Sequence, residues 1–144
     1  HGSTFGGHPV ATAVAVATMR AMRDERVLDN VAANESHLRR SLHDLRDAHR
    51  CVKDVRGAGY FYAIELQKDP ANGVPFTDDE ASEIVSRLKP ILLELGMIAR
   101  ADGRGAPILQ YSPPLIAGEA EFDEIVRISR EALDRAWADM QAGA

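Results

Sequence analysis

The sequence lacks a disulfide framework, because Cys51 is the only cysteine among its 144 residues. A single thiol cannot form an internal disulfide, and this cysteine usage fits a reducing compartment such as the cytoplasm. No stretch reaches the roughly 18 apolar residues that a membrane-spanning helix requires. Basic residues do not cluster, and the formal net charge is -5. We therefore expect a cytoplasmic protein that has neither a membrane nor a nucleic acid as its partner.

Metal-ligand spacing is also missing. His37, His43 and His49 recur every six residues, a spacing that does not place them together on one helix face. His1 and His8 flank a glycine-rich loop, but no carboxylate lies between them. Cys51 has no obvious base beside it, which favours a buried structural thiol over a nucleophile. We expect no metal site.

What remains is an ordinary globular composition, 45% hydrophobic and 27% charged, which suits one domain with a real core. Hydrophobic periodicity and turn residues predict the secondary structure. Thr77 opens a capping box, and Gly96 is typical of a helix end. The predicted elements are a helix from Pro9, a helix ending near Ala48, two strands within 52–66, a helix over 77–96, strands over 97–101 and 108–111, and a helix over 119–140.

This order predicts an α+β fold, with a short and mostly antiparallel sheet covered by helices. Over residues 10–19 the first helix carries small and apolar side chains on all sides. Such a helix is normally buried, and the small sheet does not offer enough surface to bury it. Self-association or partial disorder of residues 1–25 is the expected consequence if nothing else covers it. Pro90 lies inside the capped helix and should bend or split it.

The opening stretch HGSTFGGHP combines glycines and two hydroxyls directly before a helix. Free backbone N–H groups and hydroxyl donors at a helix N-terminus suit an anion, most often phosphate. A plain helix cap with flexible glycines is the alternative. Because no Gly-Lys-Ser/Thr ending follows, the loop is not a nucleotide P-loop.

Four segments together resemble the C-terminal third of the class III (omega) pyridoxal-phosphate aminotransferases, which have fold type I. They are HGSTFGGHP at 1–9, DVRGAG at 54–59 closing on AIEL at 63–66, GMIAR at 96–100 and SPPL at 112–115. Their order and spacing agree with the family as far as about residue 140. The resemblance implies a phosphate-contact loop and connecting helix from the large domain over 1–28. A small C-terminal α+β domain would follow over 29–144.

The resemblance also implies roles for individual residues. Ser3 and Thr4 would contact the phosphate of pyridoxal phosphate in the neighbouring subunit, which makes the parent protein a homodimer. Arg100 would bind a substrate carboxylate, for which a guanidinium offers a bidentate fork; a surface arginine in the turn to Arg104 is the alternative. Gln110 stands where the acetylornithine and ornithine branch carries an arginine, so the resemblance names no substrate.

The cofactor chemistry of this family requires a lysine for the Schiff base, and the family places that lysine upstream of the HG-x-T loop. Lys53, Lys68 and Lys89 are the only lysines here. We expect Lys53 to precede the first strand, Lys68 to end a strand and Lys89 to lie in the middle of the capped helix, so none lies in a matching context. We therefore expect no catalytic residue in this chain and no transamination by it alone. The parent protein would move an amino group from an amine or amino acid to a keto acid. Two alternatives are a non-catalytic binding or interaction module and a structural domain whose loop binds phosphate incidentally.

Overall fold

A computed structural model describes residues 2–142 of the chain. Helices and strands follow the predicted order. The described elements are α1 (Pro9–Asp24), α2 (Val27–Ala48), β1 (Val52–Ala58), β2 (Phe61–Leu66), α3 (Asp78–Glu94), β3 (Arg100–Asp102), β4 (Ile108–Tyr111) and α4 (Glu119–Ala142).

The strands form one sheet in the order β1-β2-β4-β3, and every neighbouring pair is antiparallel. One face carries a buried apolar row, because residues in register across antiparallel strands point to the same side. This row consists of Val55, Ile64, Leu109 and Ala101. The α+β class and the antiparallel sheet are therefore confirmed.

The three later helices cover that apolar face. Helix α2 packs on β1, α3 packs on β3, and α4 packs against both helices. Phe122 is fully buried at this junction, and its ring meets that of Tyr60 edge-on with centroids 4.9 Å apart. The opposite face of the sheet carries polar side chains instead. Its central row runs Arg56, Ala63, Gln110, Arg100 across the four strands.

Three local expectations are wrong. Strand β3 begins at Arg100 and not at Met97, because the positions that would pair with residues 97 and 98 are Pro113 and Ser112, and proline cannot continue a ladder. Pro90 does not split α3, since Ile91 and Leu92 beyond it are buried and hold the last turn; a bend at Pro90 stays a prediction. Lys53 lies inside β1, at the irregularity between Val52 and Asp54, and does not precede the strand.

Helix α1 has no buried residue and contacts α2. Several of its apolar side chains, such as Val10 at 64% and Met19 at 71%, are exposed. The helix ends before Arg26, whose left-handed backbone (φ 54) separates it from α2. The division at residues 28 and 29 stays a prediction. No helix within residues 2–142 has the length and apolarity to cross a membrane.

Candidate functional site

The predicted phosphate loop forms two consecutive turns in front of α1. The Gly6 N–H donates to the Ser3 carbonyl at 2.9 Å, and the His8 N–H donates to the Phe5 carbonyl at 3.1 Å. His8 is the N-cap, because its Nδ1 accepts from the Val10 N–H at 3.2 Å. Ser3 and Thr4 are exposed, and within residues 2–142 their hydroxyls form no hydrogen bond. These hydroxyls are therefore not consumed by capping. His1, the first residue of the motif, lies outside the described residues.

The end of α3 positions Arg100. Gly96 adopts φ +90, its N–H donates to the Leu93 carbonyl, and the Met97 N–H donates to the Leu92 carbonyl at 2.8 Å. This pair of bonds is the Schellman arrangement, which requires the positive φ that glycine tolerates. The chain leaves the helix in an extended path and enters β3 at Arg100. The helix end predicted at Gly96 is confirmed.

Arg100 lies in a groove of about 560 Å³ whose walls are Met97–Arg100 and Gln110–Pro114, with Ile125 of α4 as the floor. Its side chain is 59% exposed, and its Nη2 donates to Asp102 Oδ2 at 2.7 Å. The groove combines an apolar wall with one exposed guanidinium. It can therefore accept a molecule that has an apolar body and a carboxylate.

Gln110 is the direct cross-strand partner of Arg100. The two side chains consequently start from neighbouring positions on the same face of the sheet, about 5 Å apart at their Cβ atoms. Sequence spacing could not reveal this, because ten residues and a turn separate them. Position 110 carries a neutral glutamine, but a positive charge is still present at this place on the sheet, because Arg100 lies directly beside it.

The lysines are placed as ordinary surface cations. Lys53 Nζ lies 2.7 Å from Glu65 Oε1, and Lys68 Nζ lies 2.6 Å from Glu80 Oε1. Lys89 is exposed on α3. The Glu65 side chain is only 10% exposed and also accepts from Arg56 at 2.6 Å, so Lys53 serves to compensate a largely buried carboxylate.

The surroundings of Cys51 correct one expectation, because a base does lie beside the thiol. His49 Nδ1 is 3.2 Å from Cys51 Sγ, and His49 Nε2 is 3.4 Å from Asp134 Oδ1. Burial nevertheless raises the pKa of the Cys51 thiol to about 12 and lowers the pKa of His49. The thiol therefore remains neutral and inaccessible, which is the structural state that the sequence favours. In the described part of the chain, no three His, Cys, Asp or Glu side chains gather as metal ligands.

Sequence reasoning missed Asn30, which fastens the SPPL segment to α2. Its Nδ2 donates to the Leu115 and Ala117 carbonyls, each at 2.9 Å. The Tyr60 hydroxyl donates to the same Ala117 carbonyl at 3.0 Å. Asn34 holds the amide in place by donating to Asn30 Oδ1 at 3.0 Å. An asparagine early in a helix gives no signal of such a role, because its partners lie about 85 residues away.

Replacing this amide should loosen one wall of the groove. We expect Asn30→Ala to lower the free energy of unfolding by about 1–3 kcal/mol, because the part-buried Ala117 carbonyl loses one of its two donors and the exposed Leu115 carbonyl loses its side-chain donor. Urea unfolding monitored by circular dichroism measures the change. Asn72→Ala, in the exposed 69–74 loop, is the control and should cost much less. Equal losses for the two variants would contradict the fastening role.

The comparisons with known proteins agree on one family. The family model described as Aminotransferase class-III matches residues 1–133. "Probable aminotransferase Rv3329" of Mycobacterium tuberculosis is 45% identical over 133 residues, covering 92% of this chain and 28% of the relative. Putrescine–pyruvate aminotransferase of Pseudomonas aeruginosa is 34% identical, covering 99% of this chain and 30% of the relative.

Solved structures give the same picture. A transaminase from the marine bacterium Virgibacillus superimposes with a TM-score of 0.86 at 30% identity, over 97% of this chain and 31% of that one. The chain thus spans about 30% of the length of the relatives it matches.

Proposed function

The chain belongs to the class III aminotransferase family, and on this premise we propose that it is the C-terminal part of a pyridoxal-phosphate-dependent aminotransferase. The parent protein would move an amino group from an amine or amino acid to a keto acid. One structural observation carries the proposal. Two of the four family segments, GMIAR and SPPL, form the walls of a single groove that contains Arg100.

The residues of this chain fit one part of the cofactor. Ser3 and Thr4 present two exposed hydroxyls in a turn that leads into the N-terminus of α1. Hydroxyl donors beside the positive end of a helix dipole suit a phosphate dianion. We propose that they hold the phosphate of pyridoxal phosphate bound in the neighbouring subunit. When bound, this group supplies the carbonyl and the electron-withdrawing ring for amino transfer.

Arg100 would orient the substrate. Its exposed guanidinium can pair with a carboxylate of the amino donor or of the keto acid, while the apolar residues of the groove contact the substrate's carbon chain. Lys53 and Lys68 pair with carboxylates and Lys89 is exposed on α3, which supports the expectation that none of them carries the cofactor. The proton-transferring lysine would then lie in the part of the parent that precedes the HGSTFGG loop, which is where the resemblance to the family places it.

The uncovered face of α1 supports a larger assembly. Phe5 at 72%, Val14 at 59% and Met19 at 71% are exposed on the loop and helix. Exposed apolar surface of this kind indicates an interaction site. We propose that the large domain and the second subunit of a cytoplasmic homodimer cover it.

The test compares two proteins: the 144-residue chain, and a longer protein that includes its upstream region. With pyridoxal phosphate present, we expect the longer protein to transfer amino groups from a panel of amines and amino acids to pyruvate or 2-oxoglutarate. The short chain should transfer none, because it lacks a suitably placed lysine. Chromatographic measurement of the new amino acid follows the reaction.

The triple variant Lys53→Arg, Lys68→Arg and Lys89→Arg in the longer protein is the control, and it should keep the full rate. Activity of the short chain alone would overturn the assignment of the lysine to the upstream region. A longer protein that binds the cofactor but transfers nothing would favour a non-catalytic binding module.

A further inference from the structure

Asp102 is hydrogen-bonded to Arg100, the arginine that the proposed function assigns to the substrate carboxylate. We propose that Asp102 is an internal carboxylate that competes with the substrate carboxylate for Arg100, and that Arg104 sets how strongly it competes. Asp102 and Arg104 are thus positioning residues that act through Arg100. This inference deepens the proposed function and rests on the role given there to Arg100.

One carboxylate binds two guanidinium groups. Asp102 Oδ2 accepts from Arg100 Nη2 at 2.7 Å and from Arg104 Nη2 at 2.7 Å. Asp102 Oδ1 accepts from Arg104 Nε at 3.1 Å and from the Arg104 backbone N–H at 3.0 Å. Arg104 therefore grips Asp102 with a two-pronged fork and a backbone donor, whereas Arg100 holds it through one nitrogen.

The exposed fractions of the three side chains indicate that Asp102 is held in place and that Arg100 is free to move. The Asp102 side chain is only 17% exposed, while those of Arg100 and Arg104 are 59% and 81% exposed. Bonding to Arg104 first, and then to Arg100, holds the pKa of the Asp102 carboxyl well below its usual range. Asp102 is consequently a stationary anion at every working pH, and Arg100 is the partner with freedom to leave.

Asp102 keeps a charged partner when Arg100 is released from it. If the Arg100 guanidinium leaves Asp102 for a carboxylate bound in the groove, Asp102 keeps the fork and the backbone donor of Arg104, so no carboxylate is left without a partner. Arg100 uses only Nη2 to hold Asp102; within residues 2–142 its Nε and Nη1 form no hydrogen bond. A bound carboxylate can therefore approach Arg100 before the internal bond breaks.

The register of the sheet places the competing groups next to each other. Arg100 and Asp102 are two residues apart in β3 and share the polar face, and Gln110 lies opposite Arg100. Lys89 borders the same turn from α3. Within residues 2–142, the charged groups beside Arg100 are one anion, Asp102, and two other cations, Arg104 and Lys89. Asp102 is the group whose removal should favour an incoming carboxylate.

The two positioning residues should have opposite effects. Without the Asp102 charge, Arg100 loses its internal competitor and the incoming carboxylate meets less repulsion. Without Arg104, Asp102 depends on Arg100 alone and holds it more tightly. A merely structural role for the turn would instead weaken carboxylate binding in both variants.

Nuclear magnetic resonance of the 144-residue chain tests the proposal directly. The Nε–Hε signal of Arg100 is followed during titration with propionate at constant ionic strength, and propionamide serves as the uncharged comparison. We expect Asp102→Asn to tighten propionate binding about three-fold, which is the scale of an exposed ion pair. Asn retains an oxygen for the Arg104 backbone N–H. Arg104→Gln should weaken binding about two-fold.

Asp54→Asn and Arg127→Gln are matched controls, because Asp54 lies on the same sheet face near Arg56 and Arg127 is an exposed arginine of α4. Neither should change the titration. Shifts of the same sign in the two test variants, or no shift specific to propionate in any protein, would overturn the proposal. Opposite shifts combined with an inactive longer protein would refute the enzyme and leave the competition for Arg100 standing.

Discussion

Gly57→Ala should destabilise this protein severely, because the added methyl group has no room. A Cβ at Gly57 would overlap the Phe61 carbonyl oxygen and would lie 2.7 Å from the Tyr62 Cα. Both obstacles belong to the backbone of β2, so no side-chain rotation relieves them. We expect a loss of about 3 kcal/mol and a fall in melting temperature of roughly 10 °C.

Strand β2 cannot retreat without disturbing its neighbours, because it lies between β1 and β4. Its Tyr62 is 2% exposed, and the Tyr62 hydroxyl donates to Glu35 Oε1 at 3.0 Å. Calorimetry measures the melting temperature of Gly57→Ala and of a control variant in the same hairpin, Gly59→Ala. Gly59→Ala has room, with Val31 Cγ1 at 3.6 Å, but its φ of +60 should cost about 1 kcal/mol. Equal melting temperatures for the two variants would contradict the steric argument.

The combined variant Ser3→Ala and Thr4→Val should weaken binding of pyridoxal phosphate by the longer protein about hundredfold or more. A hydrogen bond to a charged group contributes about 1.5–3 kcal/mol, and each 1.4 kcal/mol is a tenfold change in affinity. Both substitutions keep the shape of the turn, which rests on the backbone bond from Gly6 to Ser3. Titration of the cofactor-free protein, followed by absorbance, measures the dissociation constant.

Two further variants separate hydroxyl chemistry from damage to α1. Thr4→Ser keeps the donor and should retain most of the affinity. Thr18→Val removes a hydroxyl whose one hydrogen bond within residues 2–142 goes to the Val14 carbonyl of the same helix, so it should leave the affinity unchanged. If the double variant binds the cofactor as tightly as the unaltered protein, the loop is a helix entry and not a phosphate contact.

Local chemistry explains why so much of the fold was predictable. The capping box at Thr77 and the glycine at 96 determine where α3 begins and ends through bonds between near neighbours. Apolar periodicity predicted the helices that the structure shows as α2 and α4. Strand β3 was misplaced because its length depends on its partner, where two prolines follow Ser112.

The candidate site likewise has features that the sequence predicts and features that only the structure shows. The sequence alone determined the family resemblance, the hydroxyl pair at 3 and 4, the guanidinium at 100 and the lack of a suitable lysine. Only the tertiary structure decided that Gln110 faces Arg100, that Asp102 holds Arg100, and that Asn30 fastens the SPPL segment. The physical reason is range: helix caps and turns are contacts within a few residues, whereas register and packing join residues far apart in the chain, and a single sequence carries no record of which distant residues meet.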